Sequence, residues 1–136
     1  MNKGMTKNIN ESNSLVKASF EPANCKVGVI HIGVGNFHRA HQAVYFNNIL
    51  KNASSNNWGI AGINLRKEQS KLIMDLKKSN NNYILKTVSA AGEARHEEIK
   101  SIIELYDWEI NDREIQHLFS SSNVQLVTTT VTESGY

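Results

Sequence analysis

The feature of this sequence that most constrains its fold is an apolar run that ends in two glycines separated by one residue. The run Val27–Ile32 has the length and composition of a strand buried on both faces. Gly33 and Gly35 follow it directly, and apolar residues then recur at helical spacing over residues 37–51. The sequence therefore predicts a buried strand, a tight glycine turn and a helix.

The two glycines suit such a turn for different physical reasons. Gly33 can adopt a positive φ, which a tight turn out of a strand requires. Gly35 has no Cβ atom, so the pyrophosphate of a dinucleotide can approach the backbone and the N–H groups that open the helix. The common pattern has a third glycine three residues later, where this chain has His38. The turn predicts dinucleotide binding, and an ordinary strand–helix turn is the alternative. Because His38 replaces the third glycine, the helix is expected to lie further from the strand or to tilt.

The polar residues at the start of the predicted helix leave several roles open. His38 and His41 have the spacing of a metal-ligand pair, but no third ligand is evident nearby, and we predict no metal site. Capping, packing or a phosphate contact accounts better for His38. For Arg39, a phosphate contact, a surface ion pair and a contact to a second domain are equally compatible with the sequence.

The rest of the chain alternates between short apolar strands and amphipathic helices. Strands are predicted at 58–63, 83–90 and 124–131, and helices at 67–77 and 112–120. Residues 93–103 are either a partner of the strand 83–90 or its continuation, and residues 83–107 are predicted to form an antiparallel or irregular excursion. The alternation predicts an α/β fold of the Rossmann type, with a mainly parallel sheet and flanking helices, as the first part of a dinucleotide-binding domain.

Composition restricts the class of protein further. The 136 residues allow one modest domain, and 15 Lys and Arg against 13 Asp and Glu give a net charge of +2, too mild and too evenly spread to predict nucleic-acid binding. No apolar stretch approaches the roughly 20 residues of a membrane span, and no secretory signal is evident. Cys25 is the only cysteine, which indicates the reducing cytoplasm. Residues 1–25 are polar and are predicted as a flexible arm.

Three blocks, in order along the chain, resemble a known family. The run His31–Tyr45 closely resembles the start of the mannitol dehydrogenase family, long-chain polyol dehydrogenases that include fructuronate and tagaturonate reductases. Trp58–Arg66 resembles that family's second strand, and Val127–Tyr136 resembles its Thr-Val-Thr-Glu-x-Gly-Tyr block. The family has no third glycine at the turn either, so His38 agrees with the family pattern.

The resemblance implies an NAD(P)-dependent oxidoreductase. Such an enzyme interconverts a sugar alcohol or aldonate with its ketose or keto acid, by hydride transfer between the carbinol carbon and the nicotinamide. Residues 26–136 would then be part of the cofactor-binding domain. In the family the catalytic lysine and its Asn and His partners lie beyond the length of this chain, in a mostly helical second domain that we expect to be absent. No catalytic residue is therefore expected here, and Lys86 and Lys100 are not substitutes for one.

The turn and the resemblance together predict where the cofactor binds. The residues are those of the turn, the first helical turn after it, the end of the second strand and the end of the last strand: Ile32, Gly33, Val34, Gly35, Asn36, Phe37, His38, Arg39, Arg66, Glu68, Thr130 and Val131. We expect the ligand to be a dinucleotide, with a small polyol or sugar-acid substrate only in a full-length enzyme. No contact with nucleic acid or membrane is expected.

The choice between NAD and NADP depends on the end of the second strand. An acidic residue there binds the ribose diol of NAD, whereas an arginine favours the 2′-phosphate of NADP. Glu68 occupies the acidic position of the family, Gln69 replaces an often acidic neighbour, and Arg66 belongs to the family pattern. We therefore expect NAD rather than NADP. Alternatively, Lys67 and Glu68 only begin a solvated helix.

The predicted sheet also bears on whether the chain works alone. The pattern contains one mononucleotide-binding half and ends where further strands are expected, which predicts a truncated gene product with weak or no catalysis. A non-catalytic nucleotide-binding module and an inactive gene remnant are the alternatives.

Overall fold

A parallel sheet of four strands, with helices on both faces, organises the computed structural model, which describes residues 14–52 and 55–131. The strands are β1 Leu15–Val16, β2 Val27–Ile32, β3 Gly59–Asn64, β4 Tyr83–Val88, β5 Ala94–Ile99, β6 Ile102–Asp107 and β7 Leu126–Thr129. The α-helices are α1 Asn36–Ala40, α2 Gln42–Asn52, α3 Ser70–Lys78 and α4 Asp112–Phe119, and two 3₁₀ turns are Pro22–Asn24 and Lys67–Gln69.

The strand order of the main sheet is β6-β3-β2-β7, and all three pairings are parallel. From β2 the chain first builds outward on one side, through β3 and β6, and later returns to the other side as β7. This reversal of direction places a crevice at the carboxyl end of β2, where α/β proteins bind their ligands. The predicted Rossmann-type fold with a mainly parallel sheet is confirmed.

The central strands β2 and β3 are buried on both faces, as their apolar runs predict, whereas the edge strand β7 is largely exposed. One face packs against α2 and α3 through a cluster that includes Val29, Ile60, Ile73, Leu76, Ile102 and Leu105. The other face packs against α4 through Ile30, Ala61, Ile63, Ile115 and Leu118. Within the described ranges no helix is long and apolar enough to cross a membrane.

The prediction for residues 83–107 was only partly right. Strands β4 and β5 form an antiparallel hairpin that leaves the main sheet, as predicted. Residues 102–107, however, are not part of that excursion, because β6 returns to the main sheet and pairs in parallel with β3. The physical reason is burial: Ile102 and Leu105 are both almost completely buried in the core beside β3.

The predicted continuous helix over residues 37–51 is broken into α1 and α2. His41 lies between them with φ −125° and ψ −79°, outside the helical region. The Tyr83 hydroxyl donates a hydrogen bond of 2.7 Å to the carbonyl of Arg39, an acceptor that an uninterrupted helix would use for itself. A smaller correction concerns residues 67–69, which form a 3₁₀ turn before α3 rather than its first α-helical turn.

Part of the predicted N-terminal arm is attached to the second sheet, whose order is β1-β5-β4. Leu15 and Val16 pair in parallel with His96 and Glu97 of β5. The backbone N–H of Ala18 also donates a hydrogen bond of 3.1 Å to the Glu98 carboxylate. The described part of the arm is thus paired and hydrogen-bonded, while residues 1–13 lie outside the described residues.

Helix α2 holds the connection between the hairpin and the main sheet. The side chain of Asn47 is fully buried, donates to the carbonyl of Glu98 over 3.1 Å and accepts from the N–H of Lys100 over 2.9 Å. The Ser101 hydroxyl adds a 2.6 Å hydrogen bond to the carbonyl of Ala43. One buried amide therefore satisfies a carbonyl near the end of β5 and the N–H of the first residue after that strand.

Replacing this amide is expected to destabilise the fold. Asn47→Ala leaves the carbonyl of Glu98 and the N–H of Lys100, both in half-buried residues, without these partners, which should lower the free energy of unfolding by about 3 kcal/mol. Urea denaturation followed by circular dichroism measures this change. The matched control is Asn48→Ala on the exposed face of the same helix, which should change the free energy of unfolding by less than about 0.5 kcal/mol. Equal effects of the two substitutions would contradict the anchoring role.

Candidate functional site

A cleft of about 210 Å³ lies at the carboxyl ends of the central strands. Its lining comes from the ends of β2, β3 and β7 and from the turns that follow them: Ile32, Gly33, Gly35, Asn64, Leu65, Arg66, Gln69, Thr129 and Thr130. This is the position that the strand order predicts for a ligand, because the chain reverses direction across the sheet at β2.

Gly33 makes the turn out of β2 and is held on both sides. Its φ is +100°, a conformation that residues with a side chain rarely adopt. Its N–H donates to the carbonyl of Ile63 over 2.9 Å, and its own carbonyl accepts from the N–H of Gly35 over 2.8 Å. The turn is therefore fixed to the neighbouring strand β3 and to its own next residue.

The backbone conformation at position 35 does not require a glycine. Its φ of −90° and ψ of −176° are extended values that any residue adopts. A Cβ atom built on Gly35 would meet no atom of the described residues within 4 Å. The missing side chain thus leaves an open stretch of backbone at the cleft, next to the first N–H groups of α1, which have no partner within a helix.

The close packing that a third glycine usually provides is found elsewhere in this protein. Val34, in the middle of the turn, is fully buried. A Cβ built on Gly62 of β3 would lie 2.6 Å from Val34 Cγ2 and 2.8 Å from Leu105 Cδ2, so only a glycine fits there. Val34, one of the predicted cofactor residues, therefore turns its side chain to the core and can offer only its backbone to the cleft.

The end of β3 is shaped by a buried amide. Asn64 accepts a 3.0 Å hydrogen bond from the N–H of Arg66 and donates one of 2.8 Å to the carbonyl of the same residue. Asp107, at the end of β6, accepts from the Ser70 hydroxyl over 2.6 Å and from Asn64 over 3.4 Å. The Ser70 hydrogen bond lowers the pKa of the Asp107 carboxyl, so that its charged form is favoured.

The structure places the predicted residues in and around the cleft. Ile32, Gly33, Gly35, Arg66 and Thr130 line it. Asn36, Phe37, Glu68 and Val131 are exposed outside the lining, Arg39 is half-buried, and Val34 and His38 are buried below the turn. The prediction did not include Asn64, Leu65, Gln69 and Thr129 among the binding residues. Their common signal is a position at or just after the end of a parallel strand, which the sequence pattern could have supplied.

The ring of His38 lies under the turn and is only 1% exposed. It stacks on the ring of His31 with the centroids 3.7 Å apart and the planes inclined by 9°. Of the roles left open by the sequence, packing is the one observed. The described part of the chain contains no cluster of three or more His, Cys, Asp or Glu side chains arranged for a metal ion.

Arg39, in α1, is not among the residues that line the cleft. Its guanidinium donates to the Asn36 side chain, and its central carbon lies 5.9 Å from the centre of the Tyr83 ring. Arg39 makes no ion pair with any residue in the described ranges. A surface ion pair is therefore not its role within this part of the chain, and a phosphate contact and an interdomain contact stay predictions.

Known proteins share this sequence and fold. Residues 27–135 match the model of the mannitol dehydrogenase Rossmann domain. The chain is 36% identical over 107 residues to D-arabinitol 4-dehydrogenase of Klebsiella pneumoniae, covering 79% of this chain and 23% of that protein. It is 29% identical over 123 residues to mannitol 2-dehydrogenase of Cereibacter sphaeroides, covering 90% of this chain and 26% of that protein. The chain thus spans about a quarter of the length of these relatives.

Solved structures agree with the sequence relatives. Mannitol 2-dehydrogenase of Pseudomonas fluorescens, in a ternary complex with NAD and D-mannitol, superposes with a TM-score of 0.83 at 30% identity, covering 90% of this chain and 25% of that one. A substrate-free D-sorbitol dehydrogenase superposes with a TM-score of 0.82 at 25% identity, covering 92% and 26%. These matches confirm the resemblance that the sequence blocks predict. The chain belongs to the mannitol dehydrogenase Rossmann domain family.

Proposed function

We propose that this chain binds NAD in the cleft beside Gly33 and Gly35 and is the cofactor-binding part of a polyol dehydrogenase. The observation that carries the proposal is the open backbone at Gly35. No packing or backbone requirement within the described residues explains a glycine there. A ligand that must lie directly against the backbone does explain it, and a dinucleotide pyrophosphate is such a ligand.

The surroundings of Gly35 support a phosphate ligand. Gly33 already uses its N–H and its carbonyl within the protein, so it shapes the turn and does not contact the ligand through them. The free donors are the first N–H groups of α1, beginning at Asn36. No carboxylate is among the residues that line the cleft, which spares an incoming pyrophosphate a direct charge repulsion from the lining.

The adenosine ribose would lie at the end of β3, where Asn64 holds the Arg66 peptide in place. Glu68 is exposed in the 3₁₀ turn that follows, one residue before Gln69 of the cleft lining. A carboxylate there can accept both hydroxyls of the ribose diol and repels a 2′-phosphate. We therefore propose NAD rather than NADP as the cofactor, which agrees with the NAD complex of the Pseudomonas fluorescens relative.

The relatives support a proposal for the substrate class. They are dehydrogenases of arabinitol, mannitol and sorbitol, and all are about four times longer than the matched region. We propose that the corresponding reaction is hydride transfer from the carbinol carbon of a polyol, or of a sugar acid, to the nicotinamide. Residues 26–136 would be the first part of the cofactor domain, and the protein would work in the cytoplasm, where the Cys25 thiol stays reduced.

Adding a side chain at Gly35 should weaken cofactor binding without unfolding the protein. Gly35→Val places two methyl groups in the space assigned to the pyrophosphate, and we expect the Kd for NAD to rise at least about tenfold. Trp fluorescence titration measures binding, and a thermal melt checks the fold. The matched control is Ala91→Val at the exposed tip of the β4–β5 hairpin, which should leave Kd unchanged. Unchanged NAD binding by Gly35→Val would refute the proposed site.

Reversing the charge of Glu68 should change the cofactor preference. Glu68→Lys removes the acceptor for the ribose diol and adds a partner for a 2′-phosphate, so the ratio of Kd values for NADP and NAD should fall about tenfold. Parallel titrations with the two dinucleotides give this ratio. Glu93→Lys, which makes the same charge change at the exposed hairpin turn, serves as the control. An unaltered ratio in Glu68→Lys would remove the basis for choosing NAD.

The chain by itself should bind NAD without turning it over. Arg66 is the only ionisable residue that lines the described cleft, and a guanidinium does not act as a general base at neutral pH. We expect no increase in absorbance at 340 nm when the chain is mixed with NAD and mannitol, arabinitol or sorbitol. Polyol-dependent formation of NADH by the purified chain would show that a base exists within these 136 residues.

A further inference from the structure

We propose that His31 and His38 form a positioning pair for the cofactor: the two stacked, uncharged rings hold the Gly33 turn in its binding form, and protonation releases it. The inference rests on the proposed function in so far as the turn binds NAD. The two residues lie on opposite sides of the turn in the sequence, one in β2 and one in α1. Their stacking at 3.7 Å therefore closes the chain on itself across the turn.

His31 connects the turn to strand β7. Its Nε2 lies 3.1 Å from the carbonyl oxygen of Gly33, and because a carbonyl only accepts, this nitrogen carries the hydrogen. In the uncharged ring Nδ1 is then an acceptor, and it faces the Thr128 hydroxyl at 2.8 Å. The Thr130 hydroxyl, at the cleft, lies 3.1 Å from Nε2. One imidazole thus joins the Gly33 carbonyl to two residues at the end of β7.

His38 supports this ring from below by its face alone. Both of its ring nitrogens are buried without a hydrogen bond of normal geometry to any described residue, and the neighbouring Gln42 side chain only partly raises its pKa. A buried polar atom without a partner is costly, so a ring that only had to fill space would serve better as an apolar side chain. The aromatic face of His38 stacks on the ring of His31. Because His38 is uncharged, it places no positive charge in the interior under the turn.

The charges around the pair explain why it must stay neutral. The titratable and charged groups that act on His38 within the described residues are His31 of β2 and Arg39 of α1, while Gln42 of α2 is uncharged. Burial, then the charges of His31 and Arg39, lower the pKa of His38 to about 3, partly offset by the neighbouring Gln42 side chain, which raises it. Burial also lowers the pKa of His31, partly offset by its hydrogen bond to Gly33.

The direction of the pH effect follows from the difference between the pKa of His38 in the closed turn and its ordinary value. When the turn opens, His38 regains a pKa near 6.5, whereas in the closed turn it stays neutral to about pH 3. Below pH 6.5 the open form therefore binds a proton that the closed form does not, and opening becomes easier as the pH falls. Above pH 6.5 both forms are neutral, and the pair contributes its full stabilisation.

The Gly33 amide reports on the closed turn without any cofactor, because its N–H bonds to the carbonyl of Ile63 at 2.9 Å. We expect its hydrogen-exchange protection factor in the full chain to fall about tenfold per pH unit between pH 6 and pH 5. His38→Phe keeps the stacking face but cannot be protonated, which leaves His31 as the only titrating ring of the pair, so its protection factor should fall less over this range than that of the unmodified chain. His41→Gln, at an exposed position of the same segment, should behave as the unmodified chain does.

Cofactor binding at about pH 7.5 provides the second measurement. His31→Leu removes the donor to the Gly33 carbonyl and should raise the Kd for NAD about tenfold, whereas His31→Gln retains a donor and should bind more tightly than His31→Leu. His38→Phe retains the stacking face and should bind NAD more tightly than His31→Leu. Circular dichroism and thermal melts confirm that each variant is folded.

The outcomes separate this inference from the proposed function. If the unmodified chain does not bind NAD, the proposed function fails, and the protection factor of Gly33 still decides whether the pair holds the turn. If the protection factor falls equally in the unmodified chain and in His38→Phe, the positioning pair is refuted. If His31→Leu binds NAD as tightly as the unmodified chain, His31 has no part in positioning the cofactor.

Discussion

The positive φ of Gly33 is the constraint on which the rest of the site depends. The turn must leave β2 within one residue, between the carboxyl ends of β3 and β7, and only a glycine takes this path without strain. Its N–H donates to Ile63 of β3 and its carbonyl accepts from His31, which in turn contacts Thr128 of β7 and Thr130 just after that strand. Contacts from three parallel strands therefore fix the position of the Gly33 backbone, which lines the cleft.

The departure from the usual glycine pattern is compensated by packing. A glycine at position 38 would let the helix approach the strand, but here a buried imidazole occupies that layer and stacks on His31. The closest approach of the turn to the sheet moves to Val34, which fills the space left by Gly62 in β3. The backbone at Gly35 stays open because the interior, and not the exposed surface, has changed.

Much of the fold was predictable because local patterns decide it. The apolar run of β2, the glycines after it and the β-branched run of β7 each favour one structure within a few residues, and the structure contains all three. The return of residues 102–107 to the main sheet and the break at His41 were not predictable in this way. The first depends on packing beside β3, and the second on a hydrogen bond from Tyr83, 44 residues away in the sequence.

The sequence by itself determined the strand–turn–helix unit, the parallel character of the sheet and the family, since these depend on short motifs and on the order of apolar segments. Only the tertiary structure decided which residues reach the cleft. It placed Asn64, Gln69 and Thr129 in the lining and turned the side chains of Val34 and His38 to the interior. The physical reason is that the direction of a side chain at the end of a strand depends on the neighbouring strands and helices, and these come from distant parts of the chain.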